Sequence, residues 1–107
     1  MLRAAAAIDR ALAAPRGEDG VAGGEPALAE AATEVAQAQV VAAQAALRAA
    51  ERLYDVGGAS ATRREFNFDR HRRDARTLVS HNPIAHKARV VGDCLLNAEP
   101  PPLTGFF

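Results

Sequence analysis

The sequence predicts an all-α helical bundle, and three observations carry that prediction. Apolar residues recur at three- and four-residue steps, prolines stand only at the edges of the periodic segments, and no stretch reads as a strand. At 107 residues the chain has room for one small domain with a modest core, which leaves little space for a large independent catalytic centre.

The first helix is expected over residues 2–14, where Leu2, Ala5, Ile8 and Leu12 share a face and Pro15 ends the run. Residues 15–25, with four glycines and several charges, read as a flexible linker. Pro26 suits the first position of a long second helix over 26–56, and Gly57 suits its end. Its predicted seam is Leu28, Ala32, Val35, Gln39, Ala42, Ala46, Ala49 and Leu53, with alanines that let neighbouring helices approach closely.

After Gly57-Gly58, two helix starts compete: Thr62 and Glu65 have capping-box spacing, and Asn67 offers a later cap. The later start gives a helix over 67–80, stopped by Pro83, because the residue before a proline is pushed out of helical geometry. The last helix is expected over 84–96 with Ile84, Ala88, Val91 and Leu95 on one face, and Pro100-Pro101-Pro102 beyond it. Residues 98–107 end in an apolar Leu-Thr-Gly-Phe-Phe that reads as a docking tail.

Alanine contributes little burial, and the chain has four Phe, one Tyr and no Trp, so assembly with further copies is expected. Cys94 is the only cysteine, which excludes an intrachain disulfide and a cysteine-based zinc site and suits a reduced, cytoplasmic setting. Asp9 and Arg10 interrupt the opening alanine run too early for a secretion signal, and no segment approaches the ~20 apolar residues of a membrane span.

Net charge is zero, yet residues 1–58 carry five Arg against eight acids and the remainder eight Lys+Arg against five acids. The basic half is centred on Arg63 to Arg76, where six arginines are interleaved with Glu65, Asp69 and Asp74. That interleaving favours internal ion pairs over nucleic-acid contacts, with Asp69 and Arg73 in the better i,i+4 order and Arg70 and Asp74 in the reverse one. The reading is a set of interhelical salt bridges, with surplus guanidinium groups left for phosphates, helix-end carbonyls or carboxylates of another subunit. His71, His81 and His86 share no metal-binding register, so no metal is expected. His81 precedes a helix break, where an imidazole, which titrates near neutral pH, can project into a cleft. Gly57-Gly58 lacks a phosphate-loop signature, although paired glycines let a ligand approach the backbone and Ser60 and Thr62 supply hydroxyls.

Taken in order, Gly57-Gly58-Ala-Ser-Ala-Thr62, Phe68-Asp-Arg-His71, Arg73-Asp-Ala-Arg-Thr77, His81-Asn-Pro83, Lys87, Val91-Gly-Asp93, Asn97 and Pro101-Pro102 resemble the C-terminal helical domain of the acyl-CoA dehydrogenase superfamily. The resemblance is to the flavin-dependent monooxygenase branch, similar to dibenzothiophene monooxygenase and the sulfur-acquisition oxidoreductases. It implies an antiparallel bundle lacking its first helix, detached from an N-terminal helical domain and a central barrel that hold most of the flavin. It further implies FMN in preference to FAD, reduced by a separate flavin reductase, a homo-oligomer (dimer or tetramer), and a small, organosulfur substrate oxygenated with O₂. The glycine pair would meet the flavin across a subunit interface, making Gly58, Ala59 and Ser60 cofactor-contact candidates. Ser60 stands where some of these monooxygenases have an arginine for the flavin phosphate.

Many acyl-CoA dehydrogenases continue after the Arg-Asp-Ala-Arg motif to a Tyr-Glu-Gly-Thr whose glutamate removes the substrate proton. This chain has His81-Asn82-Pro83-Ile84 there, and an amide has no protonation equilibrium near neutral pH that would let Asn82 act as that base. The monooxygenase branch has His-Asp-Pro at this place, which makes His81 the candidate catalytic residue beside the flavin ring. Two alternatives stay open: an acyl-CoA dehydrogenase fragment with its base elsewhere, and a truncated, non-catalytic helical assembly module.

Overall fold

A computed structural model describes residues 1–14 and 24–104. Among these residues there are four α-helices: α1 (Leu2–Ala13), α2 (Glu25–Gly57), α3 (Asp69–His81) and α4 (Ile84–Asn97). A 3₁₀ helix, Gly58–Thr62, follows α2 directly. Among the described residues there is no strand, so the fold is all-α as the periodicity predicts. Most of the predicted linker over 15–25, and the last three residues of the predicted tail, lie outside the described residues. The backbone divides into two compact units, Met1–Gln39 with Ala85–Phe107, and Val40–Ile84.

In the first unit α1 runs antiparallel to the start of α2. Arg3 pairs with Glu34 at 2.8 Å and Arg10 with Glu30 at 2.6 Å, so ascending positions on one helix meet descending positions on the other. Such pairs at the surface contribute about 0.2–1 kcal/mol each, and they fix orientation more than stability. Between them lie the alanines. Ala4 and Ala7 are buried and Ala11 is half-buried, whereas Leu2 is 89% and Leu12 66% exposed. The predicted face of Leu2, Ala5, Ile8 and Leu12 therefore points outward. The reason is steric: a stripe of methyl groups lets two helix axes come close, and bulky residues on the same face would force them apart.

The same displacement occurs along α2. Ala29, Thr33, Ala36, Val40, Ala43, Leu47, Ala50 and Tyr54 are all buried or half-buried and follow strict alternating steps of four and three. The predicted seam lies one residue before each of these positions; its Ala32, Val35, Ala42 and Leu53 are half-buried, and its Leu28, Gln39, Ala46 and Ala49 are exposed. On α4 the inner residues are Lys87, buried to 2% exposure, and Val90, with Cys94 half-buried and its sulfur 3.7 Å from the Thr33 hydroxyl. Ala88 and Leu95, placed on the inner face by the sequence pattern, are exposed. In the tail, Pro101 is buried while Leu103 is exposed.

Helix boundaries follow local chemistry. Asn82 has φ −126° and ψ 97°, the extended geometry that Pro83 imposes on its predecessor, and α3 stops at His81. At its other end α3 begins at Asp69, and neither proposed side-chain cap operates. The Thr62 hydroxyl donates to the Ala59 carbonyl at 2.8 Å, inside the 3₁₀ helix, and Asn67 takes a left-handed φ of 47° as a turn residue. Gly57 and Gly58 are required for different reasons. A Cβ on Gly57 would lie 2.6 Å from the Ala61 Cβ, and Gly58 has φ +59°. After α4, Ala98 occupies the left-handed region at φ 56°, a place where glycine is the unstrained residue.

Gly57→Ala should accordingly destabilise the chain by about 1–3 kcal/mol, because α2 and the 3₁₀ helix must move apart. Ala98→Gly should stabilise it by about 1 kcal/mol and raise the thermal midpoint by about 4–8 °C, followed by far-ultraviolet circular dichroism.

Candidate functional site

The candidate site residues Gly58, Ala59, Ser60 and His81 all fall in the second unit, Val40–Ile84. There the last turns of α2 face α3 across an open groove of about 1100 Å³. Leu47, Arg48, Glu51 and Tyr54 line it from α2, and Asp69, Arg72, Arg73, Arg76, Thr77 and Ser80 from α3. A second cavity of about 540 Å³, bounded by Tyr54, Thr62, Arg64 and Phe68, adjoins its Asp69 end.

Gly58, Ala59 and Ser60 form the first turn of the 3₁₀ helix and are exposed, with Ala61 behind them buried. The carbonyl of Ala59 accepts the Thr62 hydroxyl, and that of Ser60 accepts the Arg63 N–H at 3.2 Å. Among the described residues the Ser60 hydroxyl has no partner, and no atom lies within 4 Å of where a Gly58 Cβ would be. This is an open backbone edge with one free hydroxyl. It fits contact with one side of a cofactor. Phe68 packs beside Gly57 and stacks with Phe66 at 5.7 Å between ring centres, with Arg63 over the Phe66 ring at 5.8 Å. That cluster stiffens the turn between the 3₁₀ helix and α3.

His81 is the last residue of α3 and is exposed, without a hydrogen-bond or ion-pair partner among the described residues. Asn82 beside it is half-buried. The structure does not bring His81 and the glycine turn together. They stand at opposite ends of α3, whose 13 residues span about 20 Å. Within one copy of the chain, His81 and Gly58–Ser60 cannot touch the same small group.

The arginine segment behaves differently from the interhelical salt-bridge reading. Arg63 pairs with Glu65 at 2.6 Å and Arg73 with Asp69, both close in sequence. The Asn67 side-chain carbonyl also accepts from Arg73, at 3.4 Å. The reverse-order pair of Arg70 and Asp74 is not formed, and no ion pair joins α3 to α2 among the described residues. Arg48, Arg72 and Arg76 have no ion-pair partner among those residues. Sequence reasoning missed the contribution of Tyr54, which lies on the inner seam of α2, and of Arg48, which is exposed next to that seam and lines the groove. Among the described residues no group of three His, Cys, Asp or Glu side chains is placed to hold a metal ion, and no helix is long and apolar enough to cross a membrane.

Antiparallel alanine-faced helices, a glycine-hinged 3₁₀ turn and an arginine helix ending in His-Asn-Pro define a helical domain of the acyl-CoA dehydrogenase type. The profile of the family described as Acyl-CoA dehydrogenase, C-terminal domain, matches residues 1–86, and the chain belongs to that family. The match begins in the first helices, ahead of the region where the motifs are concentrated. Among curated proteins, the chain is 38% identical over 55 residues to the probable FMNH2-dependent monooxygenase SfnC of Pseudomonas putida, covering 51% of this chain and 14% of that protein. It is 38% identical over 61 residues to the dibenzothiophene monooxygenase of Mycolicibacterium goodii, covering 57% and 14% respectively. The solved structure of methanesulfinate monooxygenase MsuC from Pseudomonas fluorescens superposes with a TM-score of 0.80 at 36% identity, covering 98% of this chain and 26% of that one. The chain thus spans about a seventh of the length of these curated relatives and a quarter of the solved one.

Asp69 begins α3, where a carboxylate meets the helix dipole and also holds Arg73. Asp69→Asn should therefore cost about 0.5–1 kcal/mol, and the difference from wild type should shrink when the denaturation is repeated at high salt.

Proposed function

We propose that this chain is one partial helical-bundle domain of a cytoplasmic, flavin-dependent monooxygenase that oxygenates a small organosulfur compound. Reduced FMN would be supplied by a separate reductase, and the domain would assemble with further copies of itself. The observation that carries the reading is the His81-Asn82-Pro83 end of α3, in a fold shared at 36% identity with a methanesulfinate monooxygenase over nearly the whole chain. The glutamate that serves as base in many dehydrogenases of this family has no counterpart here, since Asn82 stands in its place. The FMNH2-dependent and dibenzothiophene enzymes among the relatives support the cofactor and the substrate class.

When bound, the flavin supplies the oxygen chemistry. The chain's own residues would position and protect. His81, exposed at a helix end and without a hydrogen-bond or ion-pair partner among the described residues, would hold or deliver a proton at an imidazole nitrogen. Gly58 and Ala59 present a bare backbone edge to the flavin of a neighbouring subunit, and the Ser60 hydroxyl donates a hydrogen bond there. The length of α3 between the two places supports this division, in which one copy contributes His81 to one cofactor and its glycine turn to another.

In the protein that carries this domain together with its flavin-holding parts, His81→Asn should lower oxygenation of a sulfinate or sulfone by about 10²–10⁴-fold with the fold unchanged. Unchanged turnover would remove His81 from the mechanism. Ser60→Ala should weaken FMN binding by about 2–10-fold, read by flavin fluorescence, since a single neutral hydrogen bond contributes about 0.5–1.5 kcal/mol. The 107-residue chain alone should retain no FMN through gel filtration.

A further inference from the structure

The glycine turn offers a cofactor a bare backbone edge and one hydroxyl, which is a weak hold for a phosphate ester. A phosphate monoester such as that of FMN carries a charge of about −1.5 to −2 near neutral pH, spread over strongly accepting oxygens. One neutral hydroxyl offsets little of that charge, whereas a guanidinium meets it with paired, charge-assisted hydrogen bonds. Arg63, Arg64 and Arg73 line the cavity of about 540 Å³ that lies against the same 3₁₀ helix, through Ala61 and Thr62. Two of them are occupied. Arg63 pairs with Glu65 and lies over the Phe66 ring, and Arg73 is held by Asp69 and by the Asn67 side-chain carbonyl. The same pair engages Asp69, the acid in that lining.

Arg64 is exposed, and its guanidinium has no hydrogen-bond or ion-pair partner among the described residues. The backbone sets it beside the turn. The N–H of Arg63, its predecessor, donates to the Ser60 carbonyl at 3.2 Å, and the carbonyl of Arg64 accepts the Asn67 N–H at 3.2 Å. Its main chain is thus pinned on both sides while its side chain is uncommitted. Arg70, Arg72 and Arg76 also lack ion pairs among the described residues, but they lie on α3, beyond the turn. From this placement we propose that Arg64 is the phosphate-binding residue for the FMN that meets the Gly58–Ser60 edge. This role rests on the proposed flavin function, and adds to it a cation that no sequence motif marks out. The Ser60 hydroxyl and the Arg64 guanidinium then hold one phosphate between them, and the chain tells FMN from riboflavin by its charge.

The test uses the protein that carries this domain together with its flavin-holding parts, and it reads binding rather than turnover. Fluorescence titrations compare FMN with riboflavin, which has the same ring system and no phosphate. Wild type should bind FMN the more tightly, and high salt should weaken FMN alone. Arg64→Gln should weaken FMN by about 10–100-fold while leaving riboflavin within about twofold. Arg64→Lys should recover part of the loss, because it keeps the charge without the planar fork. Circular dichroism and gel filtration follow fold and oligomeric state. Unchanged FMN affinity in Arg64→Gln, or an equal loss of both flavins, overturns the role of Arg64 and leaves the flavin function standing. An altered oligomeric state with the same FMN-to-riboflavin ratio also overturns it, and gives the guanidinium to a carboxylate of another copy. Binding of neither flavin by wild type overturns the flavin function and the role of Arg64 together.

Discussion

Close approach between helices through small side chains is the constraint from which the rest of this structure follows. In the unit where α1 meets α2, Ala4 and Ala7 of α1 and Ala31 and Ala36 of α2 are buried. Methyl groups fill so little space that the backbones can come together, which brings Arg3 and Arg10 within reach of Glu34 and Glu30. A leucine in any of those inner places would widen the gap and break both ion pairs. The contact is therefore specific in geometry, while the apolar area it removes from water is small.

Because the inside is built from alanine, the large apolar residues are outside. Leu2, Leu12, Val41, Leu78 and Leu96 are each more than half exposed, and four arginines of the basic segment have no ion-pair partner among the described residues. A self-sufficient bundle distributes these residues the other way round. The arrangement matches a chain that spans a quarter of a solved relative, with surfaces shaped for contact at both its apolar and its charged faces. The proposed site has the same character. His81 and the Gly58–Ser60 edge are each exposed, separated by the length of α3, and complete only as parts of something larger.

Backbone geometry does the remaining positioning. Gly57 admits the Ala61 methyl and the Phe68 ring, Gly58 takes a left-handed turn, and Asn67 takes another. These few residues reverse the chain between α2 and α3, presenting the 3₁₀ edge on one side and aiming α3 back along the groove. Pro83 then ends α3 at His81 by forcing Asn82 out of the helix, so the candidate catalytic imidazole sits at a terminus.

The fold class and the family were legible in the sequence, because each depends on local information. Periodicity, proline stops, paired glycines and an ordered set of short motifs can be read without knowing what packs on what. The inward faces were not legible. On α2 the predicted stripe and the inner one each hold four alanines with a valine and at least one leucine, so composition did not separate them, and the predicted seam fell one residue before the inner one. Arg48, Arg72 and Arg76, without ion pairs among the described residues, and the groove they share with Tyr54 were not legible either. Sequence determined which residues were available for helix, turn and chemistry; tertiary structure alone decided which helix faces meet, because with alanine on every side of a helix several stripes are equally apolar and only close steric fit selects among them.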